Sequence, residues 1–187
     1  MLKYFGFGLL LVVVCLLSKG IEANGPIIAV LGSGGHTGEM LEIISKLDLG
    51  SKIQFIANTS DEMSISKANK LGNKLYMLPR ARNVGQGLIS SAFQSLFCLI
   101  KALILMIRLK PRMLICNGPA TSAVTIFAVR LLCLRTKVIY VESFARVNTL
   151  SLSGKLVYKL NLADRFLVQW PELLEKYPGT EYCGLLV

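Results

Sequence analysis

The chain has 187 residues, of which 53% are hydrophobic, enough for one domain or one domain plus an anchor. Its five cysteines, an odd number without a Cys-x-x-Cys pair, argue against a disulfide framework or a zinc site and favour buried thiols in a reducing compartment. The formal net charge is +10, and twelve of the 21 basic but none of the 11 acidic residues lie between Met63 and Val141. Because this basic segment is apolar and poor in aromatic residues, it favours an anionic membrane surface over nucleic acid as a partner.

The N-terminal segment is apolar from Tyr4 to Leu17, apart from glycine, and is bracketed by Lys3 and Lys19. This run is short for a relaxed membrane span of about 20 residues. We favour an uncleaved hydrophobic anchor helix over residues 1–24, followed by one domain over residues 25–187. A cleaved signal peptide is the alternative, although Glu22 makes a poor cleavage site.

A glycine-rich turn follows the first predicted strand and reads Gly32-Ser33-Gly34-Gly35-His36-Thr37-Gly38-Glu39. Glycines between a strand and a helix let backbone N–H groups approach a phosphate. The turn lacks the lysine of a P-loop and the third glycine of a dinucleotide fingerprint. His36 is the only histidine of the chain, and histidine exchanges protons near neutral pH. The alternative is a tight turn that needs its glycines only for packing.

Strand and helix patterns alternate from Pro26 to the C-terminus. The predicted strands cover residues 27–31, 52–57, 74–78, 113–116, 137–141, 165–169 and 182–186. The predicted helices cover residues 39–48, 61–70, 87–109, 120–134, 152–162 and 171–176. Short apolar strands that alternate with helices predict an α/β fold, a Rossmann-like doubly wound parallel sheet.

The helix predicted over 87–109 has an unusual pattern. Gln94, Lys101 and Arg108 recur every seven residues and form one polar stripe on an otherwise apolar helix. Two interpretations stay open: a helix that lies in a membrane interface, and an ordinary crossover helix packed on the sheet.

The carboxyl ends of parallel strands meet at one edge of the sheet, so the loops that follow them are expected to converge there. Two turns of small residues that open helices, several arginines and one carboxylate suit a diphosphate attached to a polar group. The candidate binding residues are Gly32, Ser33, Gly34, Gly35, Thr37, Glu39, Arg80, Arg82, Asn117, Gly118, Pro119, Ser143 and Arg146. The sequence contains no metal-ligand motif, so no metal or other cofactor is predicted.

Several co-linear motifs resemble one known family. They are Gly32-Ser33-Gly34-Gly35-His36-Thr37 with Glu39-Met40, Cys116-Asn117-Gly118-Pro119, Tyr140-Val141-Glu142-Ser143, Leu150-Ser151-Leu152-Ser153-Gly154 and Asp164-Arg165-Phe166-Leu167-Val168-Gln169-Trp170-Pro171. This family comprises the membrane-anchoring subunits of eukaryotic UDP-N-acetylglucosamine transferases that extend dolichol-linked oligosaccharide. It is similar to the acceptor-binding half of GT-B glycosyltransferases such as the bacterial peptidoglycan enzyme.

The resemblance implies an acceptor-binding subunit at the endoplasmic reticulum membrane, with a single N-terminal anchor and a cytosolic domain. A soluble donor-binding partner would complete the enzyme, which would transfer GlcNAc to GlcNAc-diphosphodolichol without a bound metal. The chain by itself would be inactive. His36 or Glu142 is the candidate base, with His36 ranked first, and the alternative for His36 is a role confined to binding the phosphate or fixing the loop. The alternatives are a scaffold that only recruits an enzyme to the membrane and a nucleotide-sugar enzyme that works alone.

Overall fold

The computed structural model describes residues 22–47, 52–82, 85, 87–182 and 184–186. In these ranges seven strands alternate with six helices. The strands are β1 (Ile27–Val30), β2 (Ile53–Asn58), β3 (Leu75–Leu78), β4 (Met113–Asn117), β5 (Lys137–Val141), β6 (Arg165–Val168) and β7 (Glu181–Tyr182). The helices are α1 (Gly35–Lys46), α2 (Glu62–Lys70), α3 (Leu88–Leu109), α4 (Ala120–Leu132), α5 (Leu152–Lys159) and α6 (Glu172–Lys176).

The strands form one parallel sheet in the order β3-β2-β1-β4-β5-β6-β7. Val30 of β1 pairs with Ile56 of β2 on one side and with Cys116 of β4 on the other. The chain winds outward from β1 to β3, crosses back through α3, and then winds the opposite way from β4. This arrangement confirms the predicted Rossmann-like doubly wound sheet.

Two hydrophobic layers cover the sheet. Alternate residues of β1 point to opposite faces, so Ile28 and Val30 pack in the layer of α3, α4 and α5, while Ala29 packs in the layer of α1 and α2. All four residues of β1 are buried, as expected for a central strand with helices on both faces.

Two element boundaries differ from the prediction by four residues, and the other differences are smaller. Helix α1 begins at Gly35, four residues before the predicted start, because Gly34 is its N-cap with φ +62° and ψ −123°, a conformation that glycine alone adopts readily. His36 therefore lies in the first turn of the helix. Strand β7 covers Glu181–Tyr182 only, because only these residues pair with Leu167 and Val168 of β6. Most of the predicted anchor, residues 1–21, lies outside the described residues.

Helix α3 turns many of its bulky apolar residues away from the domain, while Leu99 and Leu103 pack partly buried against the core. Its buried positions include the smaller Cys98 and Ala102 and the flexible Met106, spaced four residues apart. Large side chains are exposed along the rest of the helix, namely Ile89, Phe93, Leu96, Phe97, Ile100, Ile104 and Ile107. Among the described helices, α3 alone is long and apolar enough to cross a membrane, judged by length and composition only. It is thus a crossover helix whose apolar outer face is left uncovered by the residues that the structure describes.

An ion pair ties α4 to the starts of β5 and β6. Arg130 Nη2 donates to Asp164 Oδ2 over 2.7 Å, and Arg130 Nε donates to the carbonyl of Leu162 over 2.7 Å. The same Asp164 oxygen accepts the backbone N–H of Val138 over 2.7 Å. Partial burial raises the pKa of Asp164, but the hydrogen bonds from Arg130 and Val138 outweigh it, so the pKa lies below its usual value.

We expect Asp164→Asn to lower the free energy of unfolding at pH 7 by about 1–2 kcal/mol, because the charge-assisted hydrogen bond to Arg130 is lost. Because the pKa of Asp164 is lower in the folded than in the unfolded protein, its contribution to stability is fully present above the unfolded pKa and is lost as the pH falls through the folded pKa, so wild type and variant should converge in acid. Urea denaturation followed by circular dichroism measures the free energy of unfolding of each protein at pH 7 and at lower pH. Glu181→Gln is the control, since its ion pair with Arg165 is exposed. An equal loss in both variants would contradict this assignment.

Candidate functional site

Two glycine turns enclose the side chain of His36 at the point where β1 and β4 lie side by side. A Cβ atom on Gly32 would lie 2.5 Å from the Cβ of His36, and one on Gly118 would lie 2.5 Å from its Cε1. Gly118 also has φ +59°, which favours glycine. These two glycines thus leave the space in which the imidazole ring lies.

A chain of hydrogen bonds orients the ring. Asn117 Nδ2 donates to Glu39 Oε2 over 2.7 Å, and Asn117 Oδ1 lies 2.8 Å from His36 Nδ1. An ionised carboxylate only accepts, so Asn117 must direct its amide nitrogen toward Glu39 and its carbonyl oxygen toward His36. The hydrogen of the neutral imidazole therefore lies on Nδ1, and Nε2 keeps a lone pair. Ser143 Oγ holds Glu39 through its second oxygen, over 2.9 Å.

The cleft in front of the ring has a volume of about 560 Å³. Five of the predicted site residues line it: His36, Arg82, Gly118, Ser143 and Arg146. The first-turn residues of three helices meet there, His36 of α1, Ala120 of α4 and Leu152 of α5. Helix N-termini carry partial positive charge and unpaired N–H groups, and both arginines are cationic. The cleft is thus suited to an anion.

Glu142, the second candidate base, lies beneath the cleft rather than on its wall. Its carboxylate is fully buried and accepts hydrogen bonds from Ser143 N over 2.9 Å, Ser151 N over 3.0 Å and Ser151 Oγ over 3.1 Å. Burial raises its pKa, and these bonds partly oppose the shift. A Cβ on Gly154 would lie 2.0 Å from Glu142 Oε2, so this glycine makes room for the carboxylate. In this structure Glu142 fixes the start of α5.

The other predicted residues lie around or behind the turns. Arg80 Nη2 donates to Ser33 Oγ over 2.8 Å, and the buried Thr37 donates its hydroxyl to the carbonyl of Gly32. Pro119 packs beside Gly32. Gly34 and Gly35 are exposed, and Glu39 and Asn117 lie behind His36. The binding roles of these residues stay predictions.

Sequence reasoning missed part of the wall of the cleft. Ser151, Leu152 and Ser153 line it because Ser151 caps α5, its Oγ accepting the N–H of Gly154 over 2.9 Å. A serine directly before a helix was the available signal. Gly85, Ala120 and Ala145 complete the wall, and small residues of this kind carry no chemical signature. Within the described ranges, no group of three or more His, Cys, Asp or Glu side chains is placed to hold a metal ion.

Solved structures with a similar fold define the class. Over 86% of this chain, MurG of Acinetobacter baumannii superposes with a TM-score of 0.66 at 16% identity, and the match covers 45% of MurG. A putative UDP-N-acetylglucosamine 2-epimerase of Listeria monocytogenes matches 81% of this chain and 41% of its own, with a TM-score of 0.61 at 13% identity. The chain thus has the fold of one Rossmann-like half of a GT-B protein and spans less than half of these structures.

Sequence comparison gives the family. Residues 27–186 match the family described as "Oligosaccharide biosynthesis protein Alg14 like", and the chain belongs to it. A relative in Yarrowia lipolytica, named "UDP-N-acetylglucosamine transferase subunit ALG14", is 43% identical over 181 residues, 89% of this chain and 83% of the relative. The human protein of the same name is 38% identical over 180 residues, 86% of this chain and 82% of its own.

We expect Asn117→Ala to let the neutral ring of His36 populate both tautomers, because the substitution removes the amide oxygen that accepts the Nδ1 hydrogen. Ring-nitrogen chemical shifts of the full-length, ¹⁵N-histidine-labelled chain in detergent measure this. At a pH where the ring is neutral, the wild type should show Nδ1–H alone and the variant a mixture. Asn58→Ala is the matched control, since Asn58 is equally buried at the end of β2 and binds Thr121 instead. An unchanged tautomer in Asn117→Ala would contradict the assigned hydrogen-bond chain.

Proposed function

We propose that this chain is the acceptor-binding subunit of a UDP-N-acetylglucosamine transferase, and that it binds GlcNAc-diphosphodolichol at the cytosolic face of the endoplasmic reticulum membrane. The observation that carries the proposal is the cleft where His36, two arginines and three helix N-termini meet, in a chain of the Alg14-like family. The names of the curated relatives support the transferase.

The extent of the fold match supports a division of labour between two subunits. A GT-B enzyme holds its acceptor and its donor in two Rossmann-like domains with the active site between them, and this chain spans 45% of MurG. We therefore expect a soluble partner with the donor-binding domain to close the cleft. The relatives are themselves named as subunits, which agrees with this.

The charges of the cleft suit the diphosphate of the acceptor. Arg82 and Arg146 are exposed on its wall, and the start of α4, where no side chain caps the helix, adds the partial positive charge of a helix N-terminus. Both carboxylates near the cleft are occupied, since Glu39 binds Asn117 and Ser143, and Glu142 binds the start of α5. Cationic groups therefore dominate the face that a diphosphate would meet.

His36 is the base of the proposed reaction. In inverting transfer the acceptor hydroxyl oxygen forms a bond to the anomeric carbon of GlcNAc, the bond from that carbon to UDP breaks, and UDP leaves with the electron pair. The hydroxyl proton passes to His36 Nε2, which no described residue engages through a hydrogen bond. Asn117 and Glu39 then stabilise the resulting imidazolium, because Asn117 Oδ1 accepts the Nδ1 hydrogen and Glu39 orients Asn117. Glu142 has a positioning role in this scheme.

We expect transfer of labelled GlcNAc from UDP-GlcNAc to a GlcNAc-diphospholipid only when the full chain is co-expressed with its soluble partner. His36→Ala should lower kcat by about 10²–10⁴-fold, the contribution typical of a general base. Arg82→Ala should raise the KM for the acceptor about tenfold through the loss of a charge-assisted contact. Arg135→Ala is the matched control, because Arg135 is exposed outside the cleft.

Co-purification of each variant with the partner separates loss of chemistry from loss of assembly. Strong transfer by this chain alone would refute the division between subunits. Full activity of His36→Ala and Arg82→Ala in the assembled complex would instead favour a scaffold that only recruits an enzyme to the membrane.

The proposal includes contact of α3 with the membrane surface. Its outer face exposes Phe93, Phe97 and Ile100, while Lys101 and Arg108 are exposed on the same helix. An apolar face with cationic side chains is typical of helices that lie in an anionic membrane interface. Because Cys98, Ala102 and Met106 are buried in the domain, α3 is expected to lie on the bilayer rather than cross it.

A chain that lacks residues 1–24 should therefore still sediment with vesicles that contain anionic lipid, and high salt should release it. Phe93→Glu with Phe97→Glu should abolish this binding. Leu47→Glu with Leu71→Glu is the control, since these exposed leucines follow α1 and α2 on the other face of the sheet. No binding at low salt would assign the face of α3 to a protein partner.

A further inference from the structure

An apolar groove adjoins the cleft on the layer of α3, α4 and α5. It has a volume of about 470 Å³ and shares Ala120, Leu152 and Ser153 with the wall of the cleft. The two cavities therefore meet at the first turns of α4 and α5. A ligand with an anionic head in the cleft would place whatever is attached to that head at the mouth of the groove.

The groove is built from three helices. Ala123 and Phe127 of α4 contribute to its floor, while Leu99 of α3 and Leu156 of α5 form opposite walls. The apolar lining follows α5 from Leu152 to the C-cap residue Leu160, a length of about 12 Å at 1.5 Å per residue. No charged side chain is among the described residues that line it.

The described part of the domain leaves the walls of the groove exposed. Leu152 is 73% exposed, Leu156 50% and Leu160 52%, and they recur every four residues on one side of α5. Apolar side chains exposed in a concave site mark a binding surface for an apolar ligand. The position of this surface, directly beside a cationic cleft, matches an amphiphile whose charged head and apolar chain are joined.

We infer that the apolar groove binds the first part of the polyisoprenoid chain of the lipid diphosphate acceptor. This inference rests on the proposed function, because the proposed acceptor supplies the diphosphate that would lie in the cleft. The groove aligns the isoprenoid chain with α5, so the diphosphate at the end of that isoprenoid is held beside Arg146 and Ser153. Recognition of the acceptor thus includes its lipid as well as its head group.

The assembled enzyme in detergent, without a bilayer, tests this with two acceptors that carry the same GlcNAc-diphosphate. The short-chain acceptor has a single isoprene unit, which is too short to extend along the groove, and the long-chain acceptor has a chain that fills it. Leu156→Glu should lower kcat/KM for the long-chain acceptor about tenfold, because a carboxylate replaces an apolar contact, and should leave the short-chain acceptor nearly unchanged. Val124→Trp, which fills the groove instead of charging it, should have the same selective effect.

Ile104→Glu is the matched control. It makes the same substitution at an exposed apolar residue of α3 that does not line the groove. Equal loss with both acceptors, or equal loss in Ile104→Glu, would overturn the inference. The first result would indicate damage to the cleft or to partner binding, and the second would indicate a general apolar surface.

Photocrosslinking separates this inference from the proposed function, since it needs no transfer. A polyisoprenoid diphosphate with a benzophenone on its chain is irradiated with the full-length chain in detergent, and labelled peptides are mapped by mass spectrometry. Label on α4 and α5 that is lost in Leu156→Glu supports the groove even if the complex transfers no sugar. Label elsewhere, or label that Leu156→Glu leaves unchanged, overturns it even if transfer is confirmed with the short-chain acceptor.

Discussion

The adjacency of β1 and β4 is the constraint on which the rest of the structure depends. After β1 the chain continues to one face of the sheet, and after β4 it continues to the other. The two turns therefore diverge and open a crevice at the carboxyl edge. Each turn then starts a helix, α1 or α4, whose N-terminus faces that crevice. A cationic cleft at this place follows from the winding of the sheet and needs only two arginines to strengthen it.

Packing and hydrogen bonding in the crevice depend on each other. His36 lies between Gly32 and Gly118, and the space it fills exists only because neither glycine has a side chain. The ring is then held by Asn117 at the end of β4, which is itself oriented by Glu39 on α1. Gly154 and Glu142 show the same dependence. Gly154 leaves room for the buried carboxylate of Glu142, which binds the start of α5. In the crevice, the glycines thus provide the space that the neighbouring polar side chains occupy.

The outer face of the α3, α4 and α5 layer explains the composition of the chain. A domain of this size does not need 53% hydrophobic residues for its core, and many of the bulky ones are exposed on α3 and α5. Basic residues such as Lys101, Arg108 and Lys155 lie on the same helices. Cationic and exposed apolar side chains thus occur together on the side of the molecule on which the cleft opens into the apolar groove.

The sequence by itself determined the parallel α/β fold, because continuous apolar runs between helical segments have few other ways to bury both faces. It also placed His36, Asn117 and Arg146 at the carboxyl edge, since strand ends in a parallel sheet share that edge. Only the tertiary structure decided what each residue does there. The contact of His36 with Asn117 spans 81 positions, and the burial of Glu142 depends on α5 packing over it. Contacts between elements depend on how helices pack, and local patterns of residues do not record that packing.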